Sequence, residues 1–142
     1  MAALWRIPVL YLLENNLYAV GTHTRESSYV QDLALRSVGY GFDSLIVDGM
    51  DPVSVYLAVR EAVERMRREP FPFLIEARTY RYHHHGGSLA GSALGYRSKE
   101  EEAAWQAKDP FLAFPERLIG LGLITRQEHQ HLQDLAAAAV SH

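Results

Sequence analysis

Apolar residues fall into three short runs along the chain, separated by segments of helical period. Ile7-Pro8-Val9-Leu10-Tyr11-Leu12-Leu13 is a continuous apolar run, the pattern of a strand buried on both faces of a parallel sheet. Glu14-Asn15-Asn16 stops it with turn-favouring asparagines. Residues 17–27 show no period and read as a loop. Ser27 and Ser28 offer caps for a helix reaching about Val38, closed by Gly39-Tyr40-Gly41. Ser44-Leu45-Ile46-Val47 predicts a second strand, ended by Asp48-Gly49. Asp51-Pro52 is a strong helix start. Val55, Ala58, Val59, Ala62, Val63 and Met66 then share one helical face, and Pro70 and Pro72 end that helix.

Residues 73–80 form the third apolar run and predict a third strand. A glycine- and serine-rich loop, Gly86 to Gly95, follows it. Ser98 with Glu101 forms a capping box for a short helix through Trp105. Asp109-Pro110 opens a further helix, which Pro115 is expected to kink or interrupt and Gly120-Leu121-Gly122 to close. Thr125 with Glu128 forms a second capping box before an alanine-rich final helix. Long crossovers between apolar strands imply a parallel α/β sheet with helices on its faces. Residues 1–97 would form the sheet part and 98–142 a helical part. Three strands are few for a sheet buried on both faces, and the first begins almost at Met1, so the pattern predicts an incomplete sheet.

Composition narrows the class. The 142 residues suit one domain. With 48% hydrophobic and 22% charged residues, a core of useful size is possible. A formal charge of −3 and scattered basic residues give no electrostatic case for a nucleic-acid partner. The absence of cysteine excludes disulfides, zinc–cysteine sites and thiol catalysis. The first six residues do not read as a signal peptide, and the longest apolar run is too short to cross a bilayer. The expectation is a soluble cytoplasmic protein with no membrane partner.

Ligands of parallel α/β sheets bind beyond the carboxyl ends of the strands. Two polar sets lie at such ends, Asn15-Asn16-Leu17-Tyr18 after the first strand and Arg81-Tyr82-His83-His84-His85 after the third. An asparagine amide oxygen and a backbone carbonyl suit a hard cation such as magnesium shared with phosphate; a plain turn is the alternative. In the second set, arginine can hold a phosphate or carboxylate, and a histidine can donate to phosphate or move a proton. Zinc is a rival, though adjacent histidines do not readily point at one ion; an exposed basic loop is the plainer alternative. Asp48 and Asp51 read best as a turn and a helix cap. The Gly86–Gly95 loop is either a mobile lid or an ordinary connection.

The ordered motifs Ala2-Ala3-Leu4-Trp5-Arg6-Ile7-Pro8, Glu14-Asn15-Asn16-Leu17-Tyr18-Ala19-Val20-Gly21-Thr22, Val47-Asp48-Gly49-Met50-Asp51, Glu76-Ala77-Arg78-Thr79-Tyr80-Arg81-Tyr82-His83-His84-His85, Tyr96-Arg97-Ser98-Lys99-Glu100-Glu101 and Lys108-Asp109-Pro110 resemble the alpha subunit of the thiamine-diphosphate-dependent 2-oxo acid dehydrogenases. The resemblance covers nearly the whole chain and points to the C-terminal half of that subunit. It implies the thiamine-diphosphate-binding fold, truncated at its N-terminus. It also implies that Asn15-Asn16 closes the cofactor motif, that Asn16 binds Mg2+ through its side chain and Tyr18 through its carbonyl oxygen, and that His85 is the active-site histidine near the diphosphate. Arg81 and His83 take supporting positions beside the cofactor, and Tyr96 and Arg97 end a loop that orders on cofactor binding.

The chain also departs from the pattern. The Gly-Asp-Gly triplet that opens the motif and supplies a carboxylate to the metal is absent. Gly86 replaces the serine that kinases phosphorylate in animal relatives, His84 stands at a usual glycine, and the loop is about two residues longer than usual. The implied function is oxidative decarboxylation of a 2-oxo acid, pyruvate first, with acyl transfer to a lipoyl-bearing acyltransferase. A beta subunit would complete a heterotetramer, and the N-terminal half of the alpha subunit would be a further partner. Alone, the chain is expected to be inactive and to bind no thiamine diphosphate measurably. The alternatives are a non-catalytic oligomerisation module, or a subunit of an acetoin or branched-chain 2-oxo acid dehydrogenase.

Overall fold

The computed structural model describes residues 1–140, which fall into two compact units, one of residues 1–106 and one from residue 107 onward. The first unit holds a three-stranded parallel sheet, β1 (Leu10–Asn15), β5 (Phe73–Arg78) and β4 (Ser44–Asp48), in the order β1-β5-β4. It also holds a two-stranded antiparallel ribbon of β2 (Tyr18–Ala19) and β3 (Thr22–His23). Its helices are a single turn α1 (Thr24–Ser27), a 3-10 helix (Leu33–Tyr40), α2 (Pro52–Arg68), a short 3-10 turn (Gly91–Leu94) and α3 (Lys99–Gln106). The parallel α/β sheet with C-terminal helices is the architecture that the sequence predicted.

The central strand has two different faces. Phe73 and Ile75 point to α2 and form the buried core with Ala58 and Ala62, flanked by Leu10, Leu45, Val47, Val59 and Met66. The period of α2 brings its alanines onto the sheet, where small side chains permit close approach. Asp51 caps this helix by accepting from the Val53 amide at 3.1 Å, and Pro52 occupies the first turn. On the other face, Glu76 is fully buried against the 3-10 helix.

Within the first unit, three stretches differ from expectation. β1 starts at Leu10, not Ile7. Pro8 has no amide to give, and the ladder opens where Phe73 N donates to the Val9 carbonyl at 2.9 Å. As an outer strand it is also not buried on both faces, since Tyr11 is 44% and Leu12 52% exposed. No helix runs from Ser28 to Val38. Ser28 Oγ donates to the Val30 carbonyl and Gln31 Nε2 to the Ser28 carbonyl, local bonds that compete with helix. The 3-10 segment begins only at Leu33 and ends at Gly41, whose φ of 76° is left-handed. Residues 18–23, read as loop, form the β2–β3 ribbon.

The second unit holds α4 (Pro110–Gly120) and α5 (Arg126–Val140). Asp109 caps α4 through the Phe111 amide at 2.8 Å, and α4 runs through Pro115 without interruption. The Thr125–Glu128 capping box is reciprocal: Thr125 N donates to Glu128 Oε2 at 2.7 Å and Glu128 N to Thr125 Oγ1 at 3.1 Å. The Thr125 amide and hydroxyl, both donating to Glu128 Oε2, hold the Glu128 carboxyl below its ordinary value.

Candidate functional site

β1 and β5 are direct neighbours with Asn15 opposite Arg78, so the two polar sets emerge side by side at the carboxyl ends of adjacent parallel strands. Thr79 N donates to the Asn15 carbonyl at 3.0 Å, carrying the pairing just past the strand ends. The end of β4 joins them: Gly49 N donates to the Arg78 carbonyl at 2.8 Å. A Cβ on Gly49 would meet that carbonyl oxygen at 2.8 Å and the Thr79 side chain at 2.5 Å, so only glycine fits here. Asp48 accepts from Met50 N at 2.9 Å as a turn residue, and Asp51 caps α2, accepting from Val53 N and from Ser54 Oγ.

The Asn15–Tyr18 turn consists of two successive side-chain-to-backbone bonds. Asn15 Oδ1 accepts from Leu17 N and Asn16 Oδ1 from Tyr18 N, each at 3.0 Å. Leu17 at φ 70° and Val20 at φ 57° are left-handed. That conformation costs a side-chain-bearing residue about 1–2 kcal/mol, and such strain concentrates at functional sites. Asn16 Oδ1 and the Tyr18 carbonyl are neutral oxygen donors two residues apart. They suit part of a hard-cation shell shared with an anionic ligand. Among the described residues, no group of three or more His, Asp or Glu could hold a metal ion, so these oxygens would supply only part of such a shell.

Arg81 ties the second set to this turn. Its Nη2 donates to the strained Val20 carbonyl at 2.7 Å, its Nε to the His83 carbonyl at 3.0 Å, and its Nη1 lies 3.4 Å from His85 Nδ1. A guanidinium only donates, so that contact makes His85 Nδ1 the acceptor and leaves its proton on Nε2. The three histidines diverge. His84 Nδ1 accepts from Gly86 N at 3.2 Å with its ring near Tyr96, whereas the exposed His83 pairs through its backbone with Ala90. Their spread does not fit a shared zinc ion.

Behind the rim sits Arg97, buried and stacked near the rings of Tyr80 at 4.9 Å, Tyr96 at 5.2 Å and Tyr18 at 5.6 Å. It donates to the carbonyls of Arg81, Tyr82 and His83, which fixes the backbone leading to His85. Its Nε lies 3.2 Å from Glu102 Oε1. Glu102 also accepts from Ser92 N at 2.8 Å and Ser92 Oγ at 2.5 Å. Burial pushes the Glu102 carboxyl up, but the Ser92 bonds and Arg97 outweigh it and hold the group below its ordinary value. The Gly86–Gly95 loop is thus anchored at both ends, by His84 N on the Leu89 carbonyl at 2.6 Å and by Ser92 on Glu102.

Sequence reasoning missed two site residues. Glu101 reads as the third residue of a capping box, and Ser98 Oγ does accept from its amide at 3.0 Å. Its carboxylate, however, takes the hydroxyls of Tyr18 at 2.9 Å and Tyr80 at 3.0 Å. Burial first, then Glu101, pushes the Tyr18 phenol up to about 12 and the Tyr80 phenol higher still. His23 accepts from Arg25 N at 3.0 Å as the cap of α1, and burial followed by Arg25 lowers its pKa. Glu76 is the other miss. Its one signal in the sequence is a lone acid flanked by apolar residues on both sides in the run 73–77.

The family model described as the dehydrogenase E1 component matches residues 1–142. The chain is similar to the pyruvate dehydrogenase E1 component subunit alpha of Rickettsia conorii, with 33% identity over 99% of this chain and 43% of the relative. The protein of the same name from Acholeplasma laidlawii is 36% identical over 99% of this chain and 40% of its own length. That from Staphylococcus aureus is 34% identical over 98% and 37%. The chain therefore spans about two-fifths of the length of these curated relatives. No helix among the described residues is long and apolar enough to cross a membrane. Matched along its whole length, with both polar sets at one rim of a parallel sheet, the chain belongs to the dehydrogenase E1 component family.

Proposed function

We propose that this chain carries part of the thiamine-diphosphate and Mg2+ site of a cytoplasmic 2-oxo acid dehydrogenase alpha subunit acting on pyruvate. The observation that supports this most is the Arg81 bridge, one guanidinium joined to the Val20 carbonyl and facing His85. It links Val20, two residues beyond Tyr18, to the imidazole across the ends of neighbouring strands. When bound, thiamine diphosphate supplies the electron sink for loss of carbon dioxide. Asn16 Oδ1 and the Tyr18 carbonyl would hold Mg2+. Arg81 and the His85 Nε2–H would face the diphosphate, with His85 also placed to move a proton at the reacting centre. His83 supports this segment through its carbonyl, which accepts from Arg81 and Arg97.

The relatives' names favour pyruvate as substrate. The partners of the reading are the rest of an alpha subunit, a beta subunit and a lipoyl-bearing acyltransferase. Two neutral oxygens without a carboxylate make a weak cation site, so the 142-residue chain by itself should give no resolvable heat with thiamine diphosphate and Mg2+ in calorimetry. Weak occupancy is still visible by NMR. Mn2+ added with thiamine diphosphate should broaden the amide signals of Asn16, Tyr18 and His85 and spare those at the Arg65 end of α2, which packs at the opposite end of the sheet against Phe73. Broadening elsewhere with these three untouched refutes the reading, and tight Mg2+-dependent binding by the chain alone refutes the incomplete site.

A further inference from the structure

Glu76 is fully buried on the central strand, on the face opposite the apolar core. A buried carboxylate is costly unless its oxygens are occupied by donors. Here Oε1 accepts from Asn15 Nδ2 at 2.7 Å and Oε2 from Ala34 N at 2.6 Å, and Arg78 Nε lies 3.6 Å from Oε1. Arg78 in turn pairs with Asp32 at 2.5 Å, just ahead of the 3-10 helix.

The Asn15 contact has a directional consequence. A carboxylate only accepts, so it draws the NH2 end of the Asn15 amide and turns Oδ1 the other way. That oxygen then meets Leu17 N at 3.0 Å, at the residue whose left-handed φ of 70° begins the turn. The next step is the Tyr18 N to Asn16 Oδ1 bond, which sets the two oxygens read above as metal ligands. We infer that Glu76 is the positioning residue of the ligand turn. Through the Asn15 amide it selects the side-chain orientation that supports the left-handed Leu17, and so fixes where Asn16 Oδ1 and the Tyr18 carbonyl lie. Its second oxygen anchors the first amide run of the 3-10 helix to the same point. The ion-related half of this inference rests on the proposed metal role of the turn; the turn geometry does not.

Amide hydrogen exchange on the 15N-labelled 142-residue chain tests it. Glu76→Leu removes both acceptors, whereas Asn15→Ala cuts only the arm to the turn. In Glu76→Leu, exchange at Leu17, Tyr18 and Ala34 should rise about tenfold or more beyond any rise at Ile75 and Ala62, which report the change in global stability alone. In Asn15→Ala, Leu17 and Tyr18 should rise alike while Ala34 stays protected. A purely structural loss would instead raise exchange at the turn by no more than across β5 and α2. Leu17 and Tyr18 remaining protected in either folded variant overturns the inference. If Glu76→Leu does not fold, Asn15→Ala decides alone. Mn2+ with thiamine diphosphate separates the two claims. Broadening at Asn16 and Tyr18 in the unsubstituted chain, lost in Asn15→Ala, supports positioning of an ion site. No broadening in the unsubstituted chain removes the metal reading while the exchange result still decides the role of Glu76.

Discussion

The two faces of the central strand differ in kind. Toward α2, Phe73 and Ile75 meet Ala58 and Ala62 in a packed apolar layer. Toward the 3-10 helix, two residues of the same strand are charged, Glu76 and Arg78, and they hold Asn15, Ala34 and Asp32 through directed bonds. The first face depends on shape and transfer out of water. The second depends on every donor having an acceptor, and removal of one partner strands another. One face makes the sheet stable; the other makes its carboxyl rim precise.

The largest effect should come from the apolar face. Ile75 is fully buried, and Ile75→Ala leaves a cavity between sheet and α2. Urea unfolding should show a loss of roughly 2–5 kcal/mol, the cost of large-to-small changes at such sites. Glu76→Leu comes next. It suits the strand and adds apolar area, yet it leaves the Asn15 amide and the Ala34 N–H without their acceptor, and each buried unmet donor costs about 1–3 kcal/mol. A net loss of roughly 2–3 kcal/mol is expected by the same measurement. Were Glu76→Leu neutral or stabilising, the polar face would be packing like the other one, and the comparison would collapse.

The same division explains what the sequence made legible. The α2 face is periodic, and Asp51-Pro52, Ala58 and Ala62 announce both the helix and the side it buries. The carboxyl-rim loops could be located because Asn15-Asn16 and Arg81 to His85 follow apolar runs directly. Hydropathy pattern carries no information about a bond between Asn15 and a residue 61 positions later. Glu76 therefore looks like an ordinary polar position of a strand, and Glu101 like a helix-capping acid. The helix expected after Ser28 failed for a related reason. Asp32 turns to Arg78 and Ala34 N to Glu76, partners that a local reading of caps cannot see. The start of β1 was set by Pro8, whose missing amide outweighs the apolar character of its neighbours.

Tyr18 extends the directed-bond argument to the rim. Tyr18→Phe keeps the ring against Arg97 and Tyr96 but removes the hydroxyl that donates to Glu101. A loss of about 1 kcal/mol is expected, smaller than at Glu76 because Tyr80 still donates to the same carboxylate. The phenol also has a pH signature. Its folded pKa of about 12 lies above the ordinary value of 10, chiefly through burial and then Glu101. Above pH 10 the unfolded chain releases this proton first, so stability contributed by Tyr18 is intact below pH 10 and falls between about 10 and 12. Ultraviolet phenolate titration of Tyr18→Phe should lack a component near pH 12. Loss of a component near the ordinary pH of 10 instead would mean that neither burial nor Glu101 raises this phenol.

The smallest effect is expected from a charge of the ordinary kind, at the outer end of α2. Arg65 pairs with Glu61 at 2.5 Å and Asp43 at 3.3 Å, with its side chain 45% exposed. Water screens those pairs and ordering two long side chains offsets most of the attraction. Its guanidinium also lies 5.8 Å from the Phe73 ring centroid, so some stem packing is lost with it. Arg65→Ala should lower stability by less than about 1 kcal/mol, and much of that loss should vanish in high salt. Glu76→Leu measured under the same salt should keep its full cost, because a buried carboxylate with bonded donors is out of reach of counterions. Equal salt sensitivity in the two variants would show that Glu76 is solvated like Arg65, and that the polar face does not organise the rim.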